Sequence, residues 1–190
     1  MSRSKYFEKC KALKLCQLAL AIWIFCLGGG CDRAPSASEG FKSPIPESRF
    51  DHGASIVQAA QSQIGKTTVY DPTYVGLKYP GGDVPFERGV CTDVVIPALR
   101  RGAGLDLQKL VHDDMRKSFS KYPKIWGLNK TDRNIDHRRV PNLRRFFERK
   151  GWSLVVSNKK GNYLYGDLVS SLVGNRPHIM IVSDKKAKDG

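Results

Sequence analysis

Cys91 and His178 are the residues whose types and neighbours best suit a chemical reaction. Cys91 is followed by Thr92 and Asp93, two polar residues that can cap the exposed amides of a helix start. A cysteine in the first turn of a helix lies at the positive end of the helix dipole, which favours the thiolate and so makes a nucleophile. A sulfur nucleophile also needs a base, and histidine is the usual one. The sequence therefore predicts nucleophilic chemistry at a Cys–His site.

His178 is the best placed of the four histidines to serve as that base. It follows Pro177 and precedes the apolar residues 179–182, which have the pattern of a β-strand. A histidine on a strand is held rigidly and can face a sulfur on a helix. The other three histidines are His52, His112 and His137.

The histidines that lie beside aspartates raise the question of a zinc site. Their strings are His112-Asp113-Asp114, in a helical pattern, and Asp136-His137-Arg138, in a loop pattern. Neither string has a recognised zinc-ligand spacing. We therefore expect these groups to hydrogen-bond the loops in place, and we expect no metal and no cofactor.

The first 30 residues have the pattern of a secretory signal peptide. Basic residues dominate positions 1–14, and residues 15–27 are almost wholly apolar. This apolar run is shorter than the ~20 residues that cross a bilayer, so a permanent spanning helix is the less favoured interpretation. The string Leu27-Gly28-Gly29-Gly30-Cys31 resembles the lipobox of bacterial lipoproteins, although that motif has an aliphatic residue where Gly28 stands. We expect lipid attachment at Cys31, with plain secretion or an uncleaved anchor as the alternatives.

The charge of the chain indicates an anionic partner in the cell envelope. The net charge is +14, and beyond residue 30 there remain 27 basic residues against 17 acidic ones. An exported chain does not normally meet nucleic acid, so we expect peptidoglycan or another anionic envelope polymer, and a membrane held through lipid on Cys31. Asp32 resembles the signal that retains lipoproteins in the inner membrane. In a bacterium with two membranes, this favours the periplasmic face of the inner membrane.

The cysteine count also singles out Cys91. The five cysteines are Cys10, Cys16, Cys26, Cys31 and Cys91. Three of them leave with the leader and one is expected to carry lipid, so Cys91 is the one expected free thiol of the exported chain. Two other interpretations stay open, namely a buried cysteine that serves as a small apolar residue and a Cys31–Cys91 disulfide formed if lipidation fails.

The composition is that of one folded domain behind a leader. The chain has 190 residues, of which 41% are hydrophobic and 26% charged, and this excludes disordered, collagenous and polytopic membrane proteins. Residues 31–52 are rich in serine, proline and charge, and we expect them to form a flexible tether from the lipid. Residues 53–190 are expected to form a single domain.

Helical periodicity precedes strand periodicity along this domain, which indicates an α+β fold. Residues 71–90 hold many prolines and glycines, which predicts a long loop that delivers the chain to Cys91. Pro97 predicts a kink in the helix after Cys91, or a helix start nearer Val94. The predicted helices are residues 54–64, 91–101, 105–122 and 140–150, and the predicted strands are residues 67–70, 153–157, 167–173 and 179–183.

Several strings around these residues are similar to those of a known family. They include Tyr70-Asp71-Pro72, Arg88-Gly89-Val90-Cys91-Thr92-Asp93, Asn134-Ile135-Asp136-His137-Arg138 and Val140-Pro141-Asn142-Leu143. Over residues 54–184 the chain resembles the domain-of-unknown-function family numbered 1287, an envelope family related to the NlpC-type, papain-like cysteine amidases of bacterial cell walls. The resemblance implies a papain-like fold in which N-terminal helices precede a small antiparallel sheet. It also implies that Cys91 is the nucleophile and His178 the base.

The sequence departs from the papain-like pattern after His178. Papain-like sites use a third polar residue to orient the imidazole, and in this family we expect it on the strand that follows the histidine. The chain stops at Gly190, before any such strand. Either the sequence is truncated at its C-terminal end, or the orienting group is Asp93, Asp136 or His137. We therefore expect weak or no activity from this exact polypeptide.

Residues that contact a substrate are less sharply marked. Two candidates lie in the loop before the cysteine, Tyr70 and Asp83. Three aromatic residues suit either a sugar-binding cleft or the hydrophobic core, namely Trp126, Trp152 and Tyr122. The basic residues between positions 138 and 150 suit a membrane surface, a groove for a wall polymer or a solvated helix face.

Two functions from different classes follow from these patterns. The first is a lipid-anchored cysteine hydrolase of the cell envelope, an amidase or peptidase that cleaves peptide amide bonds of peptidoglycan through Cys91 and His178. The second is a non-catalytic envelope lipoprotein that binds cell-wall fragments or a partner protein. The reactivity of the Cys91 thiol distinguishes the two functions.

Overall fold

The structure is a computed structural model that describes residues 11–13 and 48–187. Its helices are α1 (Ser48–Gln61), α2 (Cys91–Ala103), α3 (Leu107–Ser118) and α4 (Val140–Arg149). Its strands are β1 (Lys11–Leu13), β2 (Val69–Tyr70), β3 (Arg88–Gly89), β4 (Leu168–Val173) and β5 (Arg176–Ile181). Short 3-10 turns span Phe119–Lys121, Asp136–Arg138 and Lys160–Asn162. The mixture of helices and small sheets is of the α+β class, as the sequence predicts. The expected lipid site, Cys31, lies outside the described residues.

The main sheet has the strand order β1-β4-β5, with both pairings antiparallel. Leu168 of β4 is paired with Ile181 of β5, and Val173 is paired with Arg176 across the turn. Gly174 and Asn175 form this turn, and both have positive φ, as the tightest two-residue hairpin loops require. The prediction of two strands at the end of the domain is confirmed. Strand β5 begins earlier than predicted and therefore includes His178.

Helices α1 and α2 pack with their backbones in close approach. A Cβ atom on Gly102 would come within 2.5 Å of the backbone of Ile56, so only glycine fits at this crossing. A Cβ atom on Gly53 would come within 2.6 Å of the carbonyl oxygen of Tyr165. The predicted helix boundary after Gly53 is wrong, because this glycine lies inside α1 and allows a close contact there. Helix α1 begins at Ser48, within the segment expected to be the tether.

Helix α2 begins at Cys91 and continues through Pro97. The expectation of a start nearer Val94 is therefore wrong. The side chain of Asp93 accepts a hydrogen bond from the backbone N–H of Val90 at 2.8 Å, which stabilises the helix start at Cys91. Pro97 is buried within the helix, where it faces the core with its neighbours Ile96 and Leu99.

The core lies between the helices and the inner face of β4 and β5. Phe146 and Phe147 of α4 are fully buried and contact each other and Trp152 through their rings. Tyr122 is also buried. Tyr122 belongs to the core and Trp152 packs half-buried against it, which is the core alternative that the sequence left open.

The predicted strand at residues 153–157 does not form. The segment holds an isolated bridge residue at Ser153 and no continuous ladder. Val155 is 92% exposed, so the apolar alternation that predicted the strand has no face to pack against. The hydroxyl of Tyr163 donates a hydrogen bond to the carbonyl of Ser157 at 2.6 Å, and this contact stabilises an irregular turn in place of a strand. Within the described part of the chain, no helix has the length and apolar character needed to span a membrane.

Asp114 connects α3 to the end of α4. Its carboxylate accepts hydrogen bonds from Nε of Arg149 at 2.6 Å, from the hydroxyl of Tyr122 at 2.7 Å and from Nζ of Lys150 at 3.2 Å. Burial by itself raises the pKa of Asp114, but these three donors outweigh burial and lower the pKa to about 2. The carboxylate is therefore charged in the folded protein at all ordinary pH values.

Replacing Asp114 with asparagine is expected to destabilise the fold by about 2 kcal/mol near neutral pH. Because its pKa in the folded chain lies below the ordinary value of 3.8, the carboxylate stabilises the fold above that value. This stabilisation is lost as the pH falls through about 2. Urea unfolding of the two proteins at several pH values should show that their difference in unfolding free energy shrinks below about pH 4. The Asp113→Asn variant is the control, because Asp113 pairs with Lys109 on the surface, and its effect should be much smaller. Equal effects of the two variants would contradict the assignment.

Candidate functional site

The helix start that carries Cys91 is held by a buried ion pair. Asp93 accepts hydrogen bonds from Nε of Arg138 at 2.8 Å and from Nη2 at 2.9 Å. The two side chains are only 5% and 2% exposed. A bidentate pair has only one favourable geometry, and each partner is buried away from water and needs the other. The pair therefore fixes the relative position of the two elements that carry it.

Arg138 also connects α2 to the loop before it. Its Nη1 donates to the carbonyl of Thr73 at 3.2 Å, and its own carbonyl accepts from the hydroxyl of Thr92 at 3.0 Å. A Cβ atom on Gly89 would come within 2.8 Å of the Cβ of Asp93, so the chain can reach Cys91 along this path only with glycine there. The position of Cys91 is therefore set by three segments that are far apart in the sequence.

Cys91 and His178 line the same cavity. Both side chains are half-buried, and the cavity between α1, α2 and β5 has a volume of about 380 Å³. The backbone N–H of Ile179, the residue directly after His178, is hydrogen-bonded to the sulfur of Cys91. Side chains on a strand alternate between its two faces, so Ile179 packs in the core while His178 lies on the other face of β5. The structure therefore places both predicted residues on the lining of one cavity, and no hydrogen bond joins them in the described part of the chain.

The electrostatics of Cys91 differ from the prediction. Burial is the largest influence and raises the pKa of the thiol, and the nearby charge of Asp93 raises it further. Hydrogen bonds from the backbone N–H groups of Ile179, Thr92 and Cys91 itself lower the pKa but do not offset burial. The prediction of a thiolate favoured by the helix start is therefore wrong for the isolated chain, in which the sulfur carries its proton.

His178 has the position of a base without a fixed orientation. Within residues 48–187, no hydrogen bond to its ring nitrogens is present. Asp93 is bound by Arg138, and Asp136 accepts from the backbone N–H of Asp132 at 2.5 Å. His137 is 1% exposed, and burial lowers its pKa to about 3. None of the three residues expected to orient the imidazole hydrogen-bonds to it in the described part of the chain.

A second cavity adjoins Cys91 on the side of the long loop. Its volume is about 330 Å³, and its lining residues include Tyr70, Trp126, Arg138 and Pro177. Tyr70, predicted to contact a substrate, therefore lines a cavity with Cys91, the predicted nucleophile, but a different cavity from the one that His178 lines. Trp126, one of the three aromatic candidates for a sugar-binding cleft, also lines this cavity.

Asp83, the other predicted substrate contact, lies elsewhere. Its carboxylate accepts a hydrogen bond from Nη1 of Arg100 at 2.6 Å. It lines a cavity of about 20 Å³, which is large enough for one water molecule and too small for a substrate. The geometry gives Asp83 a structural role in fixing the long loop on α2.

The helical histidine predicted to hydrogen-bond a loop packs against an aromatic ring instead. His112 meets Tyr79 edge to face, with ring centroids 5.4 Å apart. Among residues 11–13 and 48–187, no group of three His, Cys, Asp or Glu side chains is arranged to hold a metal ion.

The family of the chain follows from comparison with known proteins. A family model described as "Domain of unknown function (DUF1287)" matches residues 57–190. The chain belongs to this DUF1287 family. The Uncharacterized protein YijF of Escherichia coli (strain K12) is 49% identical over 159 residues, which cover 80% of this chain and 77% of that relative. No solved structure matches the chain.

The segment shared with the DUF1287 family contains both halves of the candidate site. Cys91 and His178 lie within residues 57–190, and so does Arg138. The expectation that Arg138 hydrogen-bonds a loop is confirmed by its contact with Thr73, but sequence reasoning missed its pair with Asp93. The string Asn134-Ile135-Asp136-His137-Arg138 marked the segment, but nothing local identifies which carboxylate its arginine binds.

Proposed function

We propose that the chain is a papain-like cysteine hydrolase of the bacterial cell envelope that cleaves amide bonds. The observation that carries the proposal is the cavity shared by Cys91 and His178, in which the amide of Ile179 is hydrogen-bonded to the Cys91 sulfur. A cysteine at a helix start and a histidine on a strand that line one cavity are the elements of a Cys–His acyl-transfer site.

The raised pKa of Cys91 determines how such a site would react. Because the resting thiol is protonated, His178 takes the proton as the sulfur attacks the carbonyl carbon and the C–S bond forms. The backbone N–H groups of Cys91 and Ile179 point toward the sulfur and can stabilise the oxyanion that forms beside it. His178 then gives the proton to the leaving amine as the C–N bond breaks. Water, activated by His178, hydrolyses the thioester and restores the thiol.

The substrate class and the compartment rest on the sequence. The basic charge of the chain suits an anionic wall polymer, and the peptide amide bonds of peptidoglycan are the proposed target. In this proposal a signal peptide over residues 1–30, which includes β1, is removed on export, and a lipid on Cys31 holds the enzyme at a membrane, on the periplasmic face of the inner membrane if the cell has two. We also propose that the chain is related to the NlpC-type cysteine amidases, which the sequence around Cys91 resembles.

A non-catalytic binding lipoprotein is the second candidate, and two observations favour it. Burial raises the pKa of Cys91, and within residues 48–187 no hydrogen bond orients the imidazole of His178. A chain that has kept this cavity without its chemistry would bind wall fragments or a partner protein through the same surface.

Alkylation of Cys91 by iodoacetamide at different pH values separates the two functions. Only the thiolate reacts. If His178 accepts the thiol proton, the wild type should react at about pH 7 at least about tenfold faster than His178→Ala, whereas the two rates should converge at about pH 10, where hydroxide removes the proton. The rates are measured by mass spectrometry of the peptide that carries Cys91.

The control for alkylation is Ser183→Ala, because Ser183 lines the same cavity and is not an expected proton acceptor. It should react like the wild type at both pH values. If the wild type and His178→Ala give the same profile, rising only above about pH 9, the thiol is a buried structural group and the binding function is favoured.

A further inference from the structure

Cys91 lies at the junction of two cavities, and the chemistry of its reaction assigns a different part of the substrate to each. The first cavity contains His178, and the second extends from Cys91 toward Tyr70 and Trp126. The following inference rests on the proposed function. The imidazole must deliver a proton to the leaving amine, so the amine lies on the side that His178 lines. The acyl portion of the substrate must then extend from Cys91 into the second cavity.

The lining of the second cavity is mainly apolar. Its one charged lining residue, Arg138, is neutralised by the bidentate contact with Asp93. The remaining lining residues are aromatic, aliphatic or proline, apart from Cys91 itself. A carboxylate or ammonium group placed there would find no unpaired opposite charge among the lining residues themselves. The cavity therefore discriminates against charged groups.

Apolar side chains stand open to solvent at this cavity. Tyr70 is 67% exposed and Ile125 is 69% exposed, and both line it. The guanidinium of Arg139 lies 4.2 Å from the ring centroid of Trp126, which fixes the indole in place. Clustered exposed apolar residues beside a reactive group are typical of a ligand site, and about 330 Å³ is at the small end of such sites.

We infer that the second cavity is the acyl subsite and that it binds an uncharged, apolar group, preferably a flat or ring-bearing one, next to the carbonyl that Cys91 attacks. The strongly basic surface of the chain would then attract the polymer from a distance, while the subsite selects an uncharged residue within it. Trp126 is the main determinant of this selection.

The test measures alkylation of Cys91 in the full chain by iodoacetamides with different tails. The reagents are unsubstituted iodoacetamide, its N-benzyl derivative and its N-carboxymethyl derivative, used at about pH 9.5 so that the thiolate forms without help from a base. Rates are divided by those of the same reagents with a free cysteine peptide. The benzyl tail should react at least about tenfold faster than the carboxymethyl tail, because a buried phenyl ring gains apolar burial.

Matched variants on the two sides of Cys91 locate the tail. Trp126→Ala should reduce the benzyl preference below about threefold and Trp126→Phe should keep most of it, because a ring remains. Tyr70→Ala should also reduce the preference for the benzyl tail. Tyr70 is exposed, so this substitution should leave the stability of the fold almost unchanged. Ile64→Ala changes an exposed residue of the first cavity and should have no effect.

Each other outcome overturns the inference. A preference for the carboxymethyl tail, equal rates for both tails, or a preference lost in Ile64→Ala and kept in Trp126→Ala and Tyr70→Ala would show that the second cavity is not an apolar acyl subsite. The readout does not depend on amide cleavage. A chain that cleaves nothing and still shows the Trp126-dependent preference would refute the proposed hydrolase and keep the subsite.

Discussion

Replacing Cys91 with alanine is expected to reduce any amide cleavage to the background of the assay, because Cys91 is the one thiol among the residues that line the cavity. His178→Ala should reduce the rate by about 10²- to 10⁴-fold, which is the contribution of a positioned acid–base group. The larger loss is expected for Cys91 because the sulfur forms the covalent intermediate, whereas water can replace an imidazole in part.

Mass analysis of muropeptides released from purified peptidoglycan by the full chain measures these rates. The Cys91→Ala, His178→Ala double variant should be no slower than Cys91→Ala alone, because the two residues act as one unit. His52→Ala is the matched control, since this histidine is exposed on α1 and lines neither cavity at Cys91. Cleavage that survives in Cys91→Ala, or that is equally reduced in His52→Ala and His178→Ala, would refute the proposed mechanism.

Local patterns were sufficient to place Cys91 and His178, the two candidate reacting residues, on their elements. Polar residues after Cys91 predict a helix start, and the apolar run after His178 predicts a strand, and both elements form there. Val140-Pro141 likewise predicts the start of α4, because proline suits the first turn of a helix. These signals depend on neighbouring residues in the chain, and the structure adds only that the two elements meet.

Tertiary contacts overrode local patterns elsewhere. By composition Gly53 suggests the boundary of a helix, yet it lies inside α1. Glycine is needed at this position because the carbonyl oxygen of Tyr165 leaves no room for a Cβ atom. The alternation at residues 153–157 predicts a strand, but Val155 remains exposed and no partner strand pairs with it in the described chain. In both places the deciding neighbour is distant in sequence.

The protonation of Cys91 shows why a motif does not determine reactivity. The backbone N–H groups around the sulfur lower the pKa of its thiol, which is the direction that the sequence predicts for a cysteine at a helix start. Burial raises the pKa by more. The extent of burial depends on how α1, α2 and β5 close around the sulfur, which no local pattern specifies.

The residue that pairs with Asp93 could not be predicted from the neighbouring sequence either. The sequence marks Asp93 as a polar neighbour of Cys91 and a candidate to orient the imidazole, but its carboxylate binds Arg138, 45 residues away. Any of the many arginines of this basic chain would satisfy the same charge rule. The buried bidentate geometry therefore has to be observed.

Breaking the buried ion pair between Asp93 and Arg138 is expected to destabilise the fold more than the loss of the Asp114 carboxylate. Arg138→Met removes the guanidinium and leaves the carboxylate of Asp93 buried without its two donors, which should destabilise the fold by about 3–5 kcal/mol. Arg138→Lys keeps the charge but not the two parallel hydrogen bonds, so it should recover only part of that loss. Urea unfolding followed by circular dichroism measures each change.

A double variant separates the loss of attraction from the burial of an unpaired charge. Asp93→Asn with Arg138→Met removes both charges together, and it should be less destabilised than the sum of the single variants, because neither partner is left alone in the core. Arg88→Met is the matched control. Arg88 pairs with Asp71 at 3.4 Å, but its side chain is 57% exposed, so water replaces the contact and the change should be small.

The same variants test whether the pair positions Cys91. If the pair only stabilises the fold, Arg138→Lys should alkylate at Cys91 with the wild-type pH profile at temperatures where both proteins are folded. If the pair also fixes the start of α2, the loss of one of the two Arg138–Asp93 hydrogen bonds should shift the pH profile of Cys91 alkylation. Asp93 is bound to Val90 at the helix start, so a shift of Asp93 also moves the amides around the sulfur. An unchanged profile in a folded Arg138→Lys protein would confine the role of the pair to stability. A shifted profile would make Arg138 a positioning residue that acts through Asp93 on a sulfur it does not touch.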